Sequence, residues 1–266
     1  MYSRNIQSPA ALSQPHAAIA VLLCLIAPAA SLQAQEPNRV SDLNFHAWYM
    51  YSGDHPVGEG PWGLHFDGQW RRQGIGQKWQ QLLLRPGLNY DINAKVQVSG
   101  GYAFIDTYPY GDFPAPTAFP EHRIWQQLLL RQTVGQASLA HRFRLEQRFV
   151  GITDANLPEG DRLVGYSYRN RVRYYAKGII PVGRGGPDSD YFLAAYNEVK
   201  FNFGRNTAMN VFDQNRAYVA LGRKLPGFGT IEIGYLQQTV QQGNGRVFEF
   251  NHTLQVGLFS NRRIGR

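Results

Sequence analysis

The chain has 266 residues, of which 43% are hydrophobic, and a formal net charge of +8. Its single cysteine, Cys24, excludes a fold held together by disulfide bonds within the chain. The positive charge is nearly all arginine, which alternates with apolar residues and does not cluster in a helix or a tail. That distribution argues against nucleic acid as a partner.

The longest apolar run lies near the N-terminus, at residues 17–30. It is too short for a membrane helix and is followed by small residues up to Ala34, which is typical of a secretory signal peptide. A buried helix is the alternative. We predict that residues 1–34 are cleaved off and that residues 35–266 form one domain, with a net charge of +7 after the loss of Arg4. That domain has no cysteine, as expected for an envelope protein stabilised by closure of a sheet.

Period-two alternation of apolar and polar residues predicts eleven strands, and no segment has helical periodicity over three turns. Most segments have ten residues or more, long enough to cross a bilayer at a tilt. Strands of soluble proteins are usually shorter. The predicted strands are 42–51, 62–72, 77–90, 94–106, 121–133, 136–149, 162–176, 190–203, 214–225, 229–241 and 246–259.

The alternation by itself fits a soluble sheet as well as a membrane barrel. The number of long strands and the export signal favour an all-β, antiparallel transmembrane β-barrel in the outer membrane of a Gram-negative bacterium, apolar outside and polar inside. We expect aromatic residues near strand ends to form girdles at the membrane interfaces. These residues are Trp48, Tyr51, Trp62, Tyr90, Tyr108 and Tyr191.

The connections bear on the number of strands. Short turns at 133–136 and 226–229 alternate in places with long connections at 107–120 and 150–161. A barrel whose two ends both lie in the periplasm needs an even number of strands. We therefore expect ten strands, with 42–51 left unmatched, or twelve, with one strand missed by the pattern.

A heptapeptide, WQQLLLR, occurs at residues 79–85 and again at 125–131. Two strands separate the starting points of the copies, so both copies should run in the same direction and face alike. The residues expected to face outward are Leu82, Leu84, Leu128 and Leu130, and those expected inside are Gln81, Arg85, Gln127 and Arg131.

Several short motifs follow one another in a characteristic order and spacing over residues 43–258. They are Glu121–Gln127, the arginine ladder Arg142–Arg148 with Glu146, the ladder Arg169–Arg173, Asn197–Glu198, Asp213–Arg216 and Gly234–Tyr235. Together they resemble the domain-of-unknown-function family DUF2490 of small Gram-negative outer-membrane barrels. The resemblance implies a fold and a location, and the family carries no established activity.

Charged residues of the inward parity form the candidate functional site. They are Glu121, Arg123, Arg131, Arg142, Arg144, Glu146, Arg148, Arg169, Arg171, Arg173, Glu198 and Arg216, with Glu232 as a further carboxylate. Our main hypothesis is a structural network of arginine–glutamate pairs that fills a narrow interior. The alternative is an anion-selective channel for small acidic solutes or oligosaccharides, since arginines outnumber carboxylates.

A third class of function is an enzyme that modifies lipid at the surface of the barrel. The histidines to consider are His46, His65, His122, His141 and His252. Ser138 and His141 have opposite parities, and no Gly-x-Ser-x-Gly motif occurs. We therefore predict no enzymatic activity, no metal and no cofactor. The expected partners are outer-membrane lipid, lipopolysaccharide and the barrel insertion machinery, with a small anionic solute in the channel alternative.

Overall fold

The structure is a computed structural model that describes residues 39–207 and 209–265. Within these ranges eleven strands form one closed barrel. The strands are β1 (Val40–Pro56), β2 (Trp62–Gln73), β3 (Lys78–Asn93), β4 (Val96–Thr107), β5 (Phe119–Val134), β6 (Ala137–Thr153), β7 (Leu163–Pro181), β8 (Tyr191–Phe203), β9 (Phe212–Leu225), β10 (Gly229–Gln241) and β11 (Val247–Ser260). Single turns of 3₁₀ helix occupy Glu159–Asp161 and Gly186–Asp188. None of the helices in these ranges has the length and apolar character needed to cross a membrane.

Each of the eleven segments predicted from the alternation corresponds to one strand of the barrel. The agreement has a local cause, because side chains of an extended chain point alternately to the two faces of the sheet. The predicted signal peptide, residues 1–34, lies outside the described residues.

The barrel closes through a parallel pair. β1 and β11 run in the same direction, in register from Val40 opposite Val247 to Gly53 opposite Ser260. The expectation of an all-β closed barrel is confirmed, and ten of the eleven strand pairs of the described residues are antiparallel. The expected number of ten or twelve strands differs from the eleven that these residues form. An even number is required only if the first and last strands run in opposite directions, and a parallel ladder also satisfies the backbone hydrogen bonds along the seam.

The two rims of the barrel differ in their connections. We call one the loop rim: β1 begins there, and it carries residues 74–77, 108–118, 154–162, 204–211 and 242–246. The other, the turn rim, is where β11 ends, and it carries 57–61, 94–95, 135–136, 182–190 and 226–228. Because the number of strands is odd, β1 begins at one rim and β11 ends at the other.

The distribution of side chains is the reverse of that in a soluble protein. On the outer face Phe45 is 64% exposed and Ile233 is 53% exposed, whereas inside the barrel Glu146 and Arg171 are each 1% exposed. Large apolar side chains thus cover the outside of the barrel, and ionised groups occupy its interior.

Aromatic and aliphatic side chains also fill part of the interior. The Trp48 cluster consists of Trp48, Tyr196, Tyr218, Ala220 and Leu236, and the Trp125 cluster consists of Leu83, Ala103, Ile105 and Trp125. The expectation that Trp48 belongs to an interfacial girdle is wrong, because its parity along β1 is that of the inward residues and it is 2% exposed. Trp62 and Tyr90, by contrast, are exposed at the turn rim, with ring centroids 4.9 Å apart.

A β-bulge makes the two heptapeptide copies unequal. Arg71 and Arg72 of β2 pair with Gln81 and Trp79 of β3, so that Gln80 is the extra residue. Downstream of the bulge the first copy has the expected facing, with Leu84 exposed and Arg85 buried. Upstream the parity is reversed: Trp79 is exposed on the outer face, whereas its counterpart Trp125 is buried inside.

Trp125 is seated against two glycines of neighbouring strands. A Cβ atom at Gly87 would lie 2.5 Å from Cζ2 of the indole, and one at Gly101 would lie 3.0 Å from the same atom. The first of these distances is too short for a real contact, so only glycine at position 87 lets the indole approach the β3 backbone this closely. The indole Nε1 donates a hydrogen bond to the Tyr102 carbonyl oxygen at 3.1 Å, which satisfies its polar group.

Candidate functional site

Glu146 is the central carboxylate of the barrel interior. In the register of β6 and β7 it lies opposite Arg171. Arg171 donates through Nε to its Oε2 at 2.8 Å, and Arg173 donates through Nη1 to its Oε1 at 2.6 Å. Both carboxylate oxygens therefore accept from a guanidinium, which is the arrangement that a buried charge requires.

Glu198 on β8 collects a second group of basic side chains. Its Oε1 accepts from Nη2 of Arg173 at 2.6 Å and from Nη2 of Arg142 at 2.7 Å. Its Oε2 lies 3.5 Å from Nζ of Lys200 and 3.7 Å from Nη1 of Arg216. Arg173 thus joins Glu198 to Glu146.

Glu121 and Asp213 extend these contacts toward the loop rim. Glu121 accepts two hydrogen bonds from Arg123, at 2.6 and 2.9 Å, and two from Arg148, at 2.5 and 3.1 Å. Asp213 accepts from Nη1 of Arg171 at 2.7 Å and lies 3.9 Å from Arg148. We call the connected set the interior network: Glu121, Arg123, Arg142, Glu146, Arg148, Arg171, Arg173, Glu198, Lys200, Asp213 and Arg216.

Three of the twelve candidate residues lie apart from this network. Arg131 is near the turn rim, with Nη1 3.7 Å from Asp91 Oδ1. Arg144 is fully buried, donates to Gln127 at 3.0 Å and has its guanidinium 4.8 Å from the centre of the Trp125 ring. Arg169 is half-buried, and no carboxylate of the described residues lies within 4 Å of it.

The candidate list omitted Arg71, Lys200 and Asp213. Arg71 is buried, donates through Nε to Gln69 at 3.0 Å and stacks on Trp48 at 4.0 Å. It follows Asp67 and Gln69 at intervals of two residues, so the parity of β2 is the signal that predicts its inward position. Lys200 likewise follows Glu198 by two residues. Asp213 is the extra residue at the shift of register between β8 and β9, between Phe212 and Gln214, so no simple count of alternate residues assigns it.

Two cavities lie within the barrel, on either side of Trp48. The larger, which we call the basic chamber, has a volume of about 220 Å³, and its lining reaches the loop rim at Thr107, Tyr110 and Phe119. Its walls carry nine arginine or lysine side chains and one carboxylate, that of Glu121. The smaller, on the side of the turn rim, has a volume of about 90 Å³, and its lining reaches toward that rim at Ser52 and Phe259. We call it the lower cavity.

The layer between the cavities is formed by stacked side chains. Trp48 and Arg216 line both cavities. The Trp48 indole has the guanidinium of Arg71 at 4.0 Å and that of Arg216 at 4.8 Å from its centroid. Cation–π stacking of this kind holds both the ring and the two charges in place.

The long loop 108–118 folds inward over β1 and β11. The Tyr110 hydroxyl donates to Glu249 Oε2 at 2.8 Å, and the Asp112 backbone N–H donates to Asp42 Oδ2 at 3.3 Å. Burial raises the pKa of the Tyr110 phenol well above its ordinary value, and the Glu249 carboxylate raises it further. The phenol therefore stays protonated and remains a donor, so the loop covers part of the mouth at the loop rim.

The histidines are placed on both faces of the barrel. His122, His141 and His252 lie on the outer face, each with a ring nitrogen bonded to a tyrosine hydroxyl, and the contact between His141 and Tyr174 measures 2.9 Å. His65 faces inward, with Nδ1 2.7 Å from Asp54 Oδ1. Among hydrogen bonds of the described residues, none joins a serine hydroxyl to an imidazole. Those residues also contain no cluster of three His, Cys, Asp or Glu side chains suited to a metal ion.

Comparison with known proteins identifies the family. The model of the family described as protein of unknown function (DUF2490) matches residues 45–249. An uncharacterized protein of Methylorubrum extorquens is 28% identical over 193 residues, which cover 70% of this chain and 74% of the relative. No solved structure matches the chain. The match to the family model spans β2 to β10 and most of β1, with the interior network inside it, and the chain therefore belongs to the DUF2490 family.

Proposed function

We propose that this protein is an outer-membrane β-barrel of a Gram-negative bacterium, in contact with outer-membrane lipid and lipopolysaccharide and assembled by the barrel insertion machinery. The observation that carries this proposal is the reversal of polarity, with apolar side chains outside and ionised groups within. In a closed barrel the backbone N–H and C=O groups of every strand have hydrogen-bond partners on both sides. The hydrocarbon region of a membrane requires this because it offers no water to bind them. The predicted export signal and the long strands also support it.

We propose that the loop rim faces the cell exterior. Outer-membrane barrels have short periplasmic turns and longer outer loops. The loops 108–118, 154–162 and 204–211 share the loop rim, whereas the turns 94–95, 135–136 and 226–228 share the other. The nine-residue connection 182–190 is long and lies on the turn rim, which makes the assignment worth a direct test.

The interior acts mainly as a structural network that closes the barrel and has no catalytic role in this proposal. Support comes from Glu146, whose two oxygens accept from Arg171 and Arg173. Trp48 lines both cavities, and the other members of the Trp48 cluster pack against it. We expect side chains packed at this level to interrupt any path for ions through the barrel.

Three measurements test the proposal. Fractionation should place the protein in the outer membrane, and unheated samples should migrate differently from heated ones on a gel. In planar bilayers the folded protein should give no steady current. A soluble protein with unchanged migration would overturn the location. A steady anion-selective current would support the channel alternative, and lipid turnover in the same vesicles would support an enzyme.

Topology is tested with two single-cysteine variants, Glu159→Cys in the loop 154–162 and Pro226→Cys in the turn 226–228. A membrane-impermeant maleimide added to intact cells should label the first and spare the second. Labelling after cell lysis controls for accessibility. The opposite pattern would reverse the assigned orientation.

A further inference from the structure

The basic chamber contains positive charge that the carboxylates of the protein do not balance. Arg71 and Arg169 both line it, and among the described residues neither has a carboxylate within 4 Å. Lys200 and Arg216 share one oxygen of Glu198, at 3.5 and 3.7 Å. Positive groups that outnumber their carboxylates in a low-dielectric interior repel one another, and an additional anion among them would reduce that repulsion.

Several guanidinium groups of the chamber also have unused donors. The Nε atoms of Arg85, Arg169 and Arg216 are buried and find no hydrogen-bond partner among the described residues. Arg85 and Arg216 are each more than nine-tenths buried. A buried donor without a partner is destabilising, and an acceptor placed in the chamber would relieve that cost.

We propose that the basic chamber binds one small oxyanion with two negative charges, of the phosphate or sulfate class, either free or as the ester of a small solute. Such an anion offers several acceptor oxygens to guanidinium donors, which bind phosphate well. The volume of about 220 Å³ lies below the roughly 300–1,000 Å³ typical of pockets for drug-sized ligands, so the ligand is small.

The route of entry is the loop rim. The lining reaches that rim at Thr107 and Tyr110, while Trp48 lies at the inner end, between the chamber and the lower cavity. This proposal rests on the proposed function, in which the interior is blocked at Trp48. A blocked inner end makes the chamber a binding site, whereas an open one would make it the mouth of a channel.

The experiment is calorimetric titration of the folded, detergent-solubilised protein with inorganic sulfate, inorganic phosphate and a sugar monophosphate. Arg71→Gln and Arg169→Gln should each weaken binding by about tenfold or more, since a hydrogen bond to a charged group contributes strongly. Neither change leaves a carboxylate without a partner, so both variants should fold. Heat-modifiable migration verifies folding.

Arg144→Gln is the matched control. Arg144 is also a buried arginine without a carboxylate neighbour among the described residues, yet it does not line the chamber. Its replacement should change the affinity by less than about threefold. Tighter binding of the sugar monophosphate would assign an ester, and equal binding would assign the free ion.

Absence of binding by all three anions to a folded barrel would overturn the inference and leave the proposed function, with its blocked interior, unaffected. An equal loss of affinity in Arg144→Gln would also overturn it, because general charge and not the chamber would then determine binding. A steady ionic current through the wild-type protein would instead overturn the proposal that the interior is blocked at Trp48, so the two failures are distinguishable.

Discussion

Arg173 and Glu146 form an ion pair between β7 and β6, with Nη1 2.6 Å from Oε1. The same guanidinium donates through Nη2 to Glu198 Oε1 on β8, also at 2.6 Å. One arginine thus ties three consecutive strands together. A slip of one residue in any of them would turn these groups toward the outer face, so the pair helps to specify the register.

Loss of the Glu146 carboxylate should destabilise the barrel. Glu146→Ala removes the carboxylate that Arg171 and Arg173 share and leaves Arg171 only Asp213 and Arg173 only Glu198. Breaking a buried pair costs about 3–5 kcal/mol. We expect a lower unfolding midpoint in detergent or lipid, measured by tryptophan fluorescence. Glu159→Ala, an exposed carboxylate in the loop 154–162, is the control and should leave the midpoint unchanged. An unaltered midpoint for Glu146→Ala would mean that this residue faces open water.

Removal of the Trp48 ring should open the layer between the two cavities. Trp48→Ala is expected to join them and to give measurable ionic current in planar bilayers. Trp125→Ala removes an equally large side chain that lines neither cavity, and it should give no current. Both variants should lose about 3–5 kcal/mol of stability, the usual cost for truncating a buried tryptophan. Current from both variants, or from neither, would contradict the assigned position of the layer.

The outer face should tolerate charge only near its rims. Ile233, near the middle of β10, is 53% exposed, and Val164, at the start of β7, is 56% exposed. In lipid, Ile233→Arg should cost about 2–4 kcal/mol and Val164→Arg should cost at most about 1 kcal/mol, because the penalty for arginine depends on depth. Equilibrium unfolding from lipid vesicles measures both. Equal, small effects would argue against a membrane location.

The parallel seam is open to disulfide cross-linking. Leu43 lies opposite Phe250 and Tyr51 lies opposite Leu258. Double cysteine variants at each of these pairs should cross-link on mild oxidation, since adjacent strands bring Cα atoms within the range that a disulfide spans. The pair Leu43→Cys and Leu258→Cys should not cross-link. Failure of either of the first two pairs in a folded barrel would show that β1 and β11 do not meet in this register.

Much of the architecture is present in the local pattern of residues. The ladder from Arg142 to Arg148 alternates with Phe143 and Leu145, and the strand, its inward arginines and its exposed apolar residues all follow from that alternation. The heptapeptide shows the limit of this reasoning. An inserted residue, Gln80, reverses the parity at Trp79, and a bulge depends on the partner strand as well as on the residue itself.

By itself, the sequence determined the positions of eleven extended segments and the faces to which most of their side chains point, because the period of two is a property of each strand alone. It did not determine how many of these segments would join the barrel. Only the tertiary structure decided the parallel seam between β1 and β11, the position of Trp48 between two arginines and the division of the interior into two cavities. These features depend on contacts between residues far apart in the chain, such as Trp48 and Arg216. Alternation specifies which face a side chain occupies, and closure of the barrel specifies which side chains meet there.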